Sequence, residues 1–105
     1  MAGYRVGFAP RALADVQRIA KWWRANRDGS PQLFRTELDL ALVMIAAHPE
    51  VGKRGQLRAH PNARTFLLHR SSYVVVYSIH EAEGILAIAR VRHMHRRPLA
   101  RKREH

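Results

Sequence analysis

The chain has 105 residues, enough for one domain with a single modest core and too few for two. Nineteen Lys and Arg against eight Asp and Glu give a formal charge of +11, while 47% hydrophobic residues exclude global disorder. No cysteine is present, which excludes disulfides and thiolate metal centres, and no apolar run reaches the roughly 20 residues of a membrane span. Sixteen of the nineteen cations are Arg, a residue suited to planar two-point contacts with phosphate or carboxylate. Such a charge favours a polyanionic partner without choosing among nucleic acid, acidic protein and anionic membrane. The first residues lack the apolar core of a signal peptide, so a soluble cytoplasmic protein with no membrane partner is expected.

Tyr4, Val6 and Phe8 alternate with Arg5, Gly7 and Ala9, which predicts a short strand. Pro10 then opens a helix through Asn26. Ala12, Leu13, Val16, Ile19, Ala20 and Trp23 share its apolar face, and Arg11, Asp15, Arg18 and Trp22 are assigned to the other side. Arg27 to Ser30 ends this helix. Ser30 is read as the cap of a second helix, with Pro31 in its first position and His48 near its end. The second helix carries two apolar stripes, Phe34, Leu38, Ala41, Leu42 and Ile45 in one and Leu33, Leu40, Met44 and Ala47 in the other. The second stripe is expected to face the first helix; the alternative is cover by a separate chain. Pro49 stops the helix, and residues 50–62, with two glycines, a proline and the cations Lys53, Arg54 and Arg58, read as a loop.

From Arg64 to His93 the chain holds three β-rich runs separated by Ser71-Ser72 and by Glu81 to Gly84. Connections this short join antiparallel neighbours, giving a three-stranded meander. The order β-α-α-β-β-β defines an α+β domain, with a helical hairpin packed on one face of a small antiparallel sheet. The domain is assigned to residues 1–98, and residues 99–105 form a basic tail.

These pieces, taken together, resemble the ParE/RelE superfamily of toxins from type II toxin–antitoxin modules. The resemblance rests on the opening strand with Ala12, Leu13, Asp15 and Ile19; on Pro49-x-x-Gly52; on Arg64; on Arg70-Ser71-Ser72-Tyr73-Val74-Val75-Val76-Tyr77; and on Ile88-x-Arg90-Val91-x-His93-x-x-Arg96-Arg97-Pro98. It covers about residues 4–98, and the ending is similar to the ParE branch. That branch implies a non-catalytic inhibitor of DNA gyrase, neutralised by a cognate antitoxin in a hetero-oligomer, with roles in plasmid or chromosome maintenance and stress response. No cofactor is implied. The RelE branch implies instead a ribosome-dependent mRNA endonuclease, which needs cations at the scissile phosphate and a group to activate the 2′-hydroxyl. The positions matched to its cations on the first and second meander strands are Phe66, Leu68 and Val74, all apolar, so the enzyme is the alternative.

If the chain is a ribonuclease, Arg64, Tyr73, Arg90 and His93 are its catalytic candidates. The target-binding candidates are Arg90, Arg92, His93, Arg96 and Arg97, with Arg101, Lys102 and Arg103 of the tail adding charge. The antitoxin-binding candidates are Trp22, Leu33, Leu40 and Met44. His93 and His95 alternate like a pair of metal ligands, but no third ligand is evident and no metal is expected. A nucleic-acid-binding module without a toxic role is weakened by the lack of an Arg-rich helical face and of stacked aromatics on the strands.

Overall fold

In the computed structural model, which describes residues 3–55, 57–58 and 60–95, the elements fall in the predicted order. Strand β1 spans Arg5–Phe8, helix α1 Pro10–Asn26 and helix α2 Leu33–Ala47, followed by β2 (Lys53–Arg54), β3 (Arg64–Leu68), β4 (Tyr73–His80) and β5 (Ile85–His93). Among the described residues no helix is long and apolar enough to cross a membrane. The tail at 99–105, together with Arg96, Arg97 and Pro98, lies outside the described residues.

The meander forms as expected, with β3 antiparallel to β4 and β4 antiparallel to β5. The sheet it belongs to is mixed. Its order is β1-β5-β4-β3-β2, and β1 runs parallel to β5 from Arg5 opposite Ile85 to Phe8 opposite Ile88. A parallel pair needs a long connection, and all of the chain from α1 to β4 lies between these two strands. Between β4 and β5 the register shifts: Val76 faces Arg90 and Tyr77 faces Ile88, leaving Ala89 as a bulge. The first half of the expected 50–62 loop is partly ordered instead, as a 3-10 turn over Pro49–Val51 and the edge strand β2.

Both helices cover one face of the sheet. Ala12, Val16, Ile19 and Trp23 of α1 and Phe34, Leu38, Ala41 and Ile45 of α2 meet Leu68, Tyr73, Val75, Tyr77, Leu86, Ile88 and Val91. Two expectations fail at the second helix. Ser30 does not cap it: its carbonyl accepts the Leu33 N–H in a separate turn, and α2 begins two residues after Pro31. The second stripe does not bury against α1 either, since Leu40 is 68% and Met44 46% exposed, and only Leu33 packs on the core.

Polar contacts fix the joints. Glu37 of α2 accepts the Arg70 and Ser71 N–H groups and the Ser71 hydroxyl, each at 2.8 Å, and so holds the β3–β4 turn. That turn places Ser72 at φ 69°, which its backbone bonds to Leu68 and Met94 offset. Burial would raise the Glu37 carboxyl, but these three donors outweigh it and hold the group below its ordinary 4.5.

Candidate functional site

The conditional catalytic residues do not gather in one place. Tyr73 and His93 are cross-strand partners, with rings edge-to-face at 5.3 Å. Tyr73 is buried against Phe34, and its hydroxyl accepts the Trp23 indole N–H at 3.3 Å. His93 Nδ1 accepts the His95 backbone N–H at 3.1 Å. Arg64 stands at the far end of β3, four residues from the Leu68 that faces Tyr73, or roughly 13 Å along the strand. Its guanidinium donates to the carbonyls of Glu50 (3.1 Å) and Gly52 (2.8 Å). In the same joint the Tyr77 hydroxyl donates to the Pro49 carbonyl at 2.7 Å and accepts the Gly52 N–H at 2.9 Å. Burial pushes the Tyr77 phenol up, so it stays a donor. Pro49-x-x-Gly52 and Arg64 thus form a structural clasp.

Arg90 is equally committed. Strand β1 stops opposite Ile88, which leaves β5 uncovered on that side, and Asp15 of α1 fills the gap. One Asp15 oxygen accepts the Val91 N–H at 3.0 Å and Arg90 Nε at 2.7 Å; the other accepts a second Arg90 nitrogen and Arg18, both at 3.2 Å. Its charge assigns Asp15 to the polar side of α1, yet it is 2% exposed. Its spacing gives the reason: three residues after Ala12 and four before Ile19, it lies on the apolar face. Burial alone would raise its carboxyl. Arg90, the Val91 N–H and Arg18 outweigh that and hold it below its ordinary 3.8.

The sheet face turned away from the helices shows where the ribonuclease comparison shifts. Phe66 and Leu68 point to the core side, whereas Val74 lies on the opposite face beside Leu67, with Thr65 next along β3. A one-residue offset flips a strand side chain to the other face, so Thr65 and Leu67 share the face of Val74. They too are uncharged.

The target-binding candidates divide. Arg92 and His93 are half-buried at the end of β5, Arg90 is held by Asp15, and Arg96 and Arg97 lie outside the described residues. Arg92 and His93 join Arg18, Ile19, Trp22 and Tyr73 around a cavity of about 370 Å³ between α1 and the sheet. A second cavity of about 360 Å³ lies against Val76 and Ala89, under Leu57 and Ala63, and among the described residues no Lys or Arg lines it. Of the antitoxin-binding candidates, Leu40 and Met44 form an exposed strip on α2 with Val43, which is 69% exposed and lies outside both apolar stripes of the sequence pattern. Leu33 is half-buried, and Trp22 belongs to the α1–β5 cavity. Lys53, Arg54 and Arg58 are exposed. Among the described residues no three His, Asp or Glu side chains gather to hold a metal ion.

A helical hairpin on one face of a mixed five-stranded sheet, in the order β-α-α-β-β-β, defines the class as the ParE/RelE toxin fold. The family model for the ParE toxin of the type II toxin–antitoxin system parDE matches residues 6–98, and the chain belongs to that family. The chain is similar to the toxin in the intact Escherichia coli RelBE toxin–antitoxin complex, at 27% identity and TM-score 0.61, covering 89% of this chain and 99% of that one. Two further structures share the fold. In the Mycobacterium tuberculosis RelBE2 toxin–antitoxin complex the match is 22% identical, TM-score 0.65, over 89% of this chain and 93% of that one. In the chromosomal ParDE system of Pseudomonas aeruginosa it is 15% identical, TM-score 0.63, over 86% and 95%. No curated protein matches the chain by sequence.

Proposed function

We propose that this ParE-family toxin acts in the cytoplasm by binding DNA gyrase, without catalysing a reaction, and that a cognate antitoxin holds it inactive in a hetero-oligomer. The observation that carries the reading is the uncharged patch of Thr65, Leu67 and Val74 in the middle of the sheet face turned away from the helices. Cleavage of a phosphodiester needs preorganised positive charge where charge develops, and this patch supplies none, the cations of the face being Lys53 opposite Thr65 at the β2 edge and Arg90 and Arg92 opposite Val76 and Val74 on β5. Arg64 and Arg90, the other cations proposed for such a site, are bonded to the protein's own carbonyls and carboxylate. The target surface is Arg92 and His93 at the end of β5, with Arg96 and Arg97 following in sequence. The antitoxin covers Leu40, Val43 and Met44, an apolar strip that α1 leaves exposed. Purified toxin added to gyrase and relaxed plasmid should block supercoiling and accumulate cleaved DNA, and added antitoxin should reverse both. Full supercoiling at a large molar excess of toxin refutes the assignment.

The second reading, a ribosome-dependent mRNA endonuclease, draws on one observation: Tyr73 and His93 are in ring contact beside Arg92. Primer extension after induction tests it, because new 5′ ends at A-site codons that vanish in His93→Ala would favour the enzyme.

A further inference from the structure

The cavity between α1 and the end of the sheet has a composition that neither the core nor the antitoxin strip accounts for. Three rings line it, Trp22 from α1, Tyr73 from β4 and His93 from β5, and two arginines flank them, Arg18 and Arg92. Trp22 keeps 44% of its surface exposed beside the buried Trp23. It is nevertheless held in place: its ring meets Trp23 edge-to-face at 5.9 Å, and the Arg27 guanidinium lies 5.4 Å from its centre. Arg18 touches Asp15, but that carboxylate is already bonded by Arg90 and the Val91 N–H, and the Arg18 side chain stays 57% exposed. Among the described residues no carboxylate lines the cavity.

We propose that this cavity seats one unstacked nucleotide of a single-stranded nucleic acid, with its base against the Trp22 and His93 rings and its phosphate between Arg18 and Arg92. Aromatic platforms inside a cationic groove are the common device for binding single strands without sequence preference. The volume of about 370 Å³ sits at the small end of ligand sites, the size of one nucleotide. A duplex keeps its base faces stacked and offers none to Trp22. An acidic peptide would satisfy the arginines but leave the rings unused. The inference stands apart from the choice of toxin target, because its assay contains neither gyrase nor ribosome.

The test is fluorescence anisotropy of a labelled oligodeoxyuridylate decamer, an oligouridylate decamer and a blunt duplex, titrated with the whole chain. Trp22→Ala removes a ring and no charge, and it should weaken both single strands about tenfold or more while leaving the duplex unchanged. Trp22→Leu keeps an apolar side chain at the half-exposed position, guards against misfolding, and should show the same loss. Arg92→Ala should also weaken the single strands and lower the salt slope by about one, whereas Lys53→Ala on the remote β2 edge should weaken them less. Whichever decamer binds more tightly identifies the sugar, and equal binding assigns recognition to base and phosphate alone. The proposal is overturned if both Trp22 variants bind like the parent, or if affinity follows charge alone so that Arg92→Ala and Lys53→Ala match. It is also overturned if a Glu decapeptide quenches the tryptophan fluorescence of the parent but not of Trp22→Leu, and the oligonucleotides quench neither.

Discussion

Replacing Asp15 by Ala should destabilise the protein by about 3 kcal/mol, although Asp15 lies on a helix and touches nothing outside the chain. The two-point bond to Arg90 is a charged hydrogen bond of roughly 1.5–3 kcal/mol, discounted to about 1–2 because part of the Arg90 side chain remains in water. The Val91 N–H then loses its acceptor at a buried position, which adds about 1–3 kcal/mol. The mostly exposed Arg18 adds little. For 105 residues, 3 kcal/mol corresponds to a fall in Tm of ~14 °C, measurable by circular dichroism. Arg90→Ala should cost a similar amount, and the Asp15→Ala/Arg90→Ala double variant should fall short of the sum by about 1–2 kcal/mol, since the shared bond is lost once. The pH dependence is a second check. The folded carboxyl lies below its ordinary 3.8, so the unfolded chain binds more protons between the two values. Asp15 therefore contributes stability above about pH 4 that is lost as pH falls through the folded value, and Asp15→Asn should flatten that acid limb. Additivity of the two single variants within about 0.5 kcal/mol, with parallel acid limbs for parent and Asp15→Asn, would refute the lock.

Gly52→Ala should destabilise by about 1–3 kcal/mol in urea titration, because a Cβ there would sit 2.6 Å from the Tyr77 hydroxyl and 2.9 Å from the Thr65 carbonyl oxygen. Tyr77→Phe should cost about 2–3 kcal/mol by the same measurement, since it leaves the Pro49 carbonyl and the Gly52 N–H without their partner. Glu37→Gln should lower the urea midpoint by an amount equivalent to about 1–2 kcal/mol and remove stability that the parent has above about pH 4.5 and loses on acidification. The pair Leu40→Asp with Val43→Asp should weaken antitoxin binding at least tenfold in calorimetry while leaving the toxin's Tm nearly unchanged, because both side chains stand mostly in water.

Where the sequence was read well, one local pattern decided the outcome. The β3–β5 meander followed from β-rich runs and turns of a few residues, and the buried face of α1 followed from Ala12, Val16, Ile19 and Trp23. The parallel seat of β1 did not follow, because nothing in Tyr4 to Ala9 specifies a partner some 80 residues away. The charge of Asp15 points to the polar side of α1, whereas its spacing from Ala12 and Ile19 places it on the buried side. The apolar stripe of Leu40 and Met44 was expected to bury because periodicity reports which residues share a face and not what covers that face. The cavity draws on residues 18, 22, 73 and 93, so no sequence window could contain it. Pairing Pro49-x-x-Gly52 with Tyr77 would have required knowing that β4 passes beneath that turn.

A formal charge of +11 therefore overstates what the protein can offer a polyanion. Arg64 and Arg90 both lie in the stretch that looks most like a basic surface, and each spends its donors on the fold: Arg64 on the carbonyls of the Pro49–Gly52 clasp, Arg90 on the buried carboxylate of Asp15. Arg92 is only two residues beyond Arg90, on the same strand and the same face by alternation, yet among the described residues it meets no carboxylate and lines the cavity with Trp22 and His93. What separates the two is the length of β1. The strand ends opposite Ile88, and the edge it leaves open is filled by Asp15, which reaches the Val91 N–H and draws in Arg90 but stops short of Arg92. Activity lost with Arg90 is then a folding effect that Asp15→Ala must reproduce, and activity lost with Arg92 at an unchanged Tm is a surface effect. The boundary between scaffold and proposed binding surface falls between these two arginines.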